Sequence, residues 1–231
     1  MSVKDKERVA VHEMGHAIVA LTAATADPVH RVSIIPRGAA ALGMTMQRPL
    51  EDRYLLTEPE LADRLSVLLG GRTAEELLFD EVVSTGAQND LERATEIARA
   101  MVREYGMSPT IGPLSFGRDG GEGRFLYPGA RPELSDSLAS LIDEETSRLV
   151  NEAHDRATRV LTEHRPFLEQ MSEILKVTEV IDGPDLHAYF DGTKPVPTPA
   201  QLRRDMSGNG SPASPAPSGP DVVVQPPPPS A

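Results

Sequence analysis

The 231 residues carry 23 Lys and Arg against 35 Asp and Glu, a net charge of −12, with no basic cluster to bind nucleic acid or anionic lipid. The absence of cysteine excludes disulfides, thiolate zinc fingers and cysteine nucleophiles, and fits a reducing compartment. With aromatic residues at 4% and no tryptophan, the core must be built from Leu, Ile, Val, Ala and Met, which favours packed helices.

Charges occupy the N-terminal stretch where a signal peptide would need its apolar core, and no run approaches the ~20 apolar residues of a membrane span. The expectation is a soluble, unexported chain. Residues 6–24 read as a first helix, "VAVHEMGHAI" at its centre. Its weak spot is Gly15, since glycine inside a helix costs ~1 kcal/mol against alanine; this is tolerable where another backbone or a ligand approaches closely. Two short strands follow in 30–38 and 41–49, with Arg37-Gly38 near the turn, so a small two-stranded β element is expected.

A second helix opens at Thr57 with Glu60 three residues on, a capping-box pattern, and Pro59 in the first turn, where its missing N–H is harmless. The loop "VVSTGAQND" leads into a third helix closed by Gly106. Residues 107–133 are rich in Gly and Pro and read as irregular; "GRDGGEGRF" there lacks the lysine and spacing of a phosphate-binding loop. A long amphipathic helix spans 135–163 on the spacing of Leu138, Leu141, Ile142, Leu149, Ala153, Ala157 and Val160. Two shorter helices follow, at about 165–177 and 184–190. Eleven of the 21 prolines lie in 195–231, so 192–231 is expected to be a disordered Pro/Ser/Gly-rich tail beside a domain covering 1–191.

The chemistry lies in the first helix. His12 and His16, four apart, project from one face, where two imidazole nitrogens can reach one ion at ~2.0–2.1 Å. Glu13 sits beside the first histidine, positioned to take a proton from a water on the ion's open side. This H-E-x-x-H arrangement points to zinc-dependent hydrolysis. Both histidines could instead be exposed, or buried and hydrogen-bonded. Their apolar neighbours imply burial, and two unpaired buried imidazoles with a carboxylate would be costly.

A catalytic zinc needs a third protein ligand. One candidate group is Glu75, Glu76 and Asp80 in "AEELLFDE"; the other is Asp90. Asp90, Ala94, Ile97, Met101 and Tyr105 fall on one helical stripe, and an inward carboxylate needs a compensating charge. The macrodipole alone would also favour Asp90 at a helix start. Glu75 and Glu76 read more simply as a solvated face or as ion-pair partners of Arg72. His30, His154, His164 and His187 have no ligand spacing, and His30 is expected to be structural.

"HEMGHAIVA", "DPVHRVSIIPRG", "LLGGRTAEELLF", "STGAQNDLERATEIARAMVREYGMS" and "GPLSFGR" resemble the peptidase domain of FtsH-type ATP-dependent zinc metalloproteases. The resemblance is continuous from about residue 7 to 118 and looser to "IDGPDL". It implies a mainly α, zincin-type metallopeptidase domain that hydrolyses unfolded or damaged polypeptides. It assigns His12, His16 and Asp90 to Zn2+, Glu13 to the general base, and Glu76 to a possible supporting role. It also implies a homo-hexameric ring, coupling to an ATP-driven unfoldase and a cytoplasmic location.

The alternative is a non-catalytic assembly module of a protease ring. Two departures stand out. Met14 replaces the family's usual alanine, expected on the face away from the ion. The 231 residues also include neither the family's membrane anchor nor its ATPase module, so the domain is expected to be either excised or freestanding, with a separate unfoldase as a possible partner.

Overall fold

The computed structural model describes residues 2–36, 43–47, 55–80, 82–117 and 134–208. Helix α1 is Val3–Thr22. It starts three residues before the sequence suggests because Ser2 and Asp5 cap each other: Ser2 Oγ accepts from the Asp5 amide, and Asp5 Oδ2 accepts from the Ser2 amide. Strands β1 (Val29–Ser33) and β2 (Met44–Gln47) follow; Arg37-Gly38, the expected turn, lies outside the described residues.

Helix α2 is Glu58–Leu78, its start set by the anticipated Thr57/Glu60 pair, where Glu60 Oε2 accepts from Thr57 N and Oγ1. Helix α3 is Gln88–Arg103, and the chain leaves it through Gly106 at φ 63°. Helix α4, Asp136–Glu163, is capped by Ser135, and α5 is Arg165–Thr178. Then come β3 (Val180–Asp182), α6 (Gly183–Phe190) and α7 (Pro199–Gly208).

The mainly α class is as expected, but the sheet has three strands rather than two. All pairs are antiparallel in the order β2-β1-β3, with Val32 opposite Thr45 on one side and Ile181 on the other. A three-residue strand is too short to show period-2 alternation. It exists only because β1 offers it an edge. The composition of 192–231 also misleads in part. Thr198 and Gln201 cap α7 reciprocally, and Val196 and Leu202 pack against the main core. Residues 209–231 lie outside the described residues.

Two apolar clusters share α2 and α4. One gathers α1, β1, α5, β3 and α6 around Met14, Ile18, Val32, Leu161, Leu168, Met171, Leu175, Ile181 and Leu186. The other joins Leu61, Leu65 and Leu69 of α2 to Ala94, Ala98 and Met101 of α3 and Ile142, Leu149 and Ala153 of α4. Met14 is fully buried in the first cluster, so its unbranched side chain fills core on the side away from the histidines.

The α1–α2 crossing depends on glycine. A Cβ on Gly15 would fall onto Gly70 O and within 2.6 Å of Ala74 Cβ, and one on Gly70 would lie 2.8 Å from Gly15 O. Gly15 is therefore the place where α2's backbone meets α1.

Polar clamps fix the remaining joints. Asp63 of α2 accepts from Thr25 N and Oγ1 and from Arg156 Nη1 at 2.6 Å. Glu145 takes a two-pronged bond from Arg148, both at 3.0 Å, and one from Ser108 Oγ at 2.7 Å, tying the segment after α3 to α4. Arg148, then Ser108, hold the Glu145 carboxyl down at about 2, against burial. A carboxyl whose folded value is lowered stabilises fully above its unfolded value, ~4.3, and loses that contribution as pH falls through the folded one. Glu145→Gln should therefore cost about 1–3 kcal/mol at pH 7. In acid-titrated chemical denaturation, the gap between mutant and parent should close between about pH 4.5 and pH 2.

Candidate metal centre

Two helices converge on one point. His12 and His16 come from α1, and Asp90 sits in the first turn of α3, delivered by the loop after α2. His12 Nε2 and His16 Nε2 are 3.1 Å apart, and Asp90 Oδ2 is 3.3 Å from the first and 3.4 Å from the second. These three are a His/Asp group among the described residues able to share one cation. A tetrahedral zinc with ligands at ~2.0–2.1 Å would space its ligand atoms by roughly 3.3–3.4 Å. The triangle is already that size.

The protons argue the same way. His16 Nδ1 is 2.7 Å from Val67 O, a carbonyl that can only accept, so Nδ1 carries the hydrogen. His12 Nδ1 is 2.9 Å from Glu75 Oε1, an ionised carboxylate, so it too donates. In the neutral tautomers both Nε2 atoms then present bare lone pairs to each other and to Asp90 Oδ2. Three acceptors facing inward at 3.1–3.4 Å need a cation or an extra proton between them. The residues present fit a bound zinc.

The electrostatics match this arrangement. Burial opposes charge on His12, but the hydrogen bonds that its charged form donates to Asp90 and Glu75 outweigh it and raise the imidazole to about 9. Burial would likewise raise Asp90, yet His12 and His16 hold its carboxyl well below the usual range. Glu75, also opposed by burial, is brought to about 2 by His12, Arg8 and Ser84.

Glu75 is the residue that sequence reasoning underrated. It is only 1% exposed. Besides His12 it binds Arg8 Nη1 at 2.8 Å and Ser84 N and Oγ at 2.9 and 3.1 Å. It therefore orients one histidine from behind and also holds the start of the loop that carries Asp90. Arg8 adds a bond to Val82 O and lies 4.4 Å from the Phe79 ring centre. The simple reading is right for Glu76, which pairs with Arg72 at 2.9 Å and His154 at 2.8 Å away from the triangle, and wrong for Glu75. Of the two glutamates it is Glu75, not Glu76, that contacts His12. Asp80 is exposed, at φ 50°.

The Asp90 stripe holds through Ala94 and Met101, both fully buried. Tyr105 falls past the helix end and is half-exposed. His30 is exposed on β1, and none of His30, His154, His164 and His187 joins the cluster.

A cleft of about 1280 Å³ opens over the triangle, lined in part by Glu13, Gly43, Met46, Leu56, Val67 and Arg93. Its floor requires Gly71, where a Cβ would stand 2.5 Å from His16 Nε2 and 2.6 Å from His12 Nε2. A signal for both Gly71 and Glu75 lay in their spacing: Val67, Gly71 and Glu75 recur every four residues, so they share one face of α2.

Two imidazoles and a carboxylate from separate helices, with a glutamate beside the first histidine, define a helical domain of the metallopeptidase kind. A family model described as Peptidase family M41 matches residues 1–189, and the chain belongs to that family. It is 52% identical over 196 residues to a protein of Syntrophobacter fumaroxidans named ATP-dependent zinc metalloprotease FtsH, covering 84% of this chain and 30% of that protein. Proteins of the same name from Methylococcus capsulatus and Burkholderia pseudomallei are 51% and 49% identical, over 80% and 91% of this chain and 29% and 31% of theirs. The chain spans under a third of the length of these relatives.

Replacing Gly71 with alanine removes a poor helix former, which by propensity alone is worth up to ~1 kcal/mol in favour of the variant. Gly71→Ala should nonetheless bind zinc about 10- to 100-fold more weakly while keeping its helical circular dichroism, as read by metal titration.

Proposed function

We propose that this chain is a zinc-dependent endopeptidase in which His12, His16 and Asp90 hold the metal and Glu13 is the general base. The observation that carries this reading is the inward-facing triangle of Nε2, Nε2 and Oδ2, with Glu13 on the same helix and at the same cleft. Bound zinc would supply Lewis acidity towards a water and towards the scissile carbonyl. Glu13 takes a proton from the attacking water and returns it to the leaving amine. Glu75 and Val67 O keep the two imidazoles turned with Nε2 inward, and Asp90 adds the negative charge that balances a divalent ion.

The substrate is an extended, unfolded polypeptide. Strand β2 is an outer strand of the sheet, and its far edge has no strand partner among the described residues. Its residues Met44 to Gln47 line the cleft, so a peptide laid along them would gain backbone hydrogen bonds with little dependence on sequence. By the family's pattern the working assembly is a homo-hexameric ring fed by an ATP-driven unfoldase on the cytoplasmic side of a membrane. No helix among the described residues is long and apolar enough to cross one. A non-catalytic ring component is not favoured, because the chain belongs to a peptidase family and its relatives are named as zinc metalloproteases.

Casein degradation, with zinc content by mass spectrometry, tests the assignments. Glu13→Gln should keep zinc and lose about 10²- to 10⁴-fold in rate; undiminished cleavage would refute the role of Glu13. Asp90→Ala should lose the metal, whereas Glu76→Ala should retain it.

The 231 residues contain no phosphate-binding loop. By themselves they should degrade casein but leave a stably folded fluorescent reporter intact, with or without ATP, as followed by loss of fluorescence.

A further inference from the structure

The strand that offers its edge to substrate also grips the catalytic carboxylate. Thr45 Oγ1, on β2, lies 2.7 Å from Glu13 Oε2 and 2.9 Å from Glu13 O. The backbone oxygen already accepts within the α1 ladder, so it has no need of the threonine. The carboxylate does: Glu13 is only 7% exposed, and among the described residues the Thr45 hydroxyl is its one side-chain hydrogen-bond donor.

Two residues earlier, on the same face of extended chain, Gly43 leaves a notch. A Cβ there would stand 2.5 Å from Glu13 Oε1 and 2.8 Å from its Cγ. One carboxylate oxygen thus rests in a space that only glycine provides, and the other takes a hydroxyl proton. A valine would suit a strand as well as a threonine does, so backbone preference does not account for the hydroxyl.

We propose that Thr45, with the notch at Gly43, is a positioning residue for Glu13. Its hydroxyl engages Oε2 and fixes the carboxylate rotamer, leaving Oε1 as the oxygen that exchanges the proton. The base is thereby coupled to the strand on which substrate lies. This rests on the reading of Glu13 as general base.

The test compares Thr45→Val, Thr45→Ser, Gly43→Ala and Glu13→Gln on a fluorogenic peptide, with zinc content and melting temperature measured for each. Thr45→Val should lower kcat about 10- to 100-fold with KM, zinc stoichiometry and melting temperature close to the parent. Thr45→Ser should recover most of the rate, because it restores the hydroxyl. Gly43→Ala should lower kcat by adding an atom where Oε1 sits, and it remains informative if the valine variant folds poorly.

Parent-like kcat in Thr45→Val or Gly43→Ala, beside an inactive Glu13→Gln, overturns the positioning role and leaves the base assignment standing. A change confined to KM, loss of zinc, or a serine variant as slow as the valine one also overturns it. Activity in Glu13→Gln removes the base assignment and this inference with it.

Discussion

Everything at the site depends on how closely α1 and α2 approach. Gly15 and Gly70 leave no side chain between the two backbones, and the helices cross nearer than ordinary side chains would allow. That contact brings Gly71 beneath His12 and His16, Val67 O within reach of one imidazole and Glu75 within reach of the other. A glycine that costs stability in an isolated helix is what allows the second helix to act as a backing plate.

The second constraint is charge. Two histidines and two carboxylates are buried or nearly so, an arrangement that would be prohibitive if any were unmatched. Three have a partner: Arg8 and Ser84 for Glu75, Glu75 for His12 Nδ1, and Val67 O for His16 Nδ1, while Asp90 faces the two Nε2 atoms. The chain of bonds runs from α1 through α2 into the loop that starts α3, so the residue that orients His12 also anchors the segment delivering Asp90. What remains uncompensated is the inward triangle itself, and it is of the size and composition that suit a divalent metal.

The small sheet belongs to the site rather than to the scaffold alone. β1 and β3 bury Val32 and Ile181 in the main cluster, which fixes the plane of β2 against α1. Strand β2 then touches the carboxylate of Glu13 from one side while lining the cleft. Met14, between His12 and His16, turns the other way into the helical core, so the histidine cluster of α1 and its packing occupy opposite faces of the same two turns.

Much of this was legible in the sequence, because its signals are local and periodic. The four-residue spacing of His12 and His16 sets two donors on one face, the apolar stripes mark α3 and α4, and the Thr57/Glu60 pair marks a helix start. Periodicity pointed Asp90 inward but left it level with a plain helix-terminal charge; the resemblance to a family decided for it. What the sequence could not reveal depends on contacts between distant segments. Glu75 and Glu76 are adjacent, chemically equivalent residues; only the α1–α2 crossing angle decides that one binds His12 and the other Arg72 and His154. Three residues at 180–182 become a strand because β1 is there to pair with them, and Val196 and Leu202 order part of a proline-rich segment because α5 and its neighbours offer apolar surface. The sequence by itself determined that two imidazoles share one face of α1 with a glutamate beside the first, since that follows from side-chain chemistry and helical repeat. The tertiary structure alone decided which groups orient them, because a hydrogen bond of 2.7–2.9 Å between residues 32 to 63 positions apart leaves no trace in local pattern.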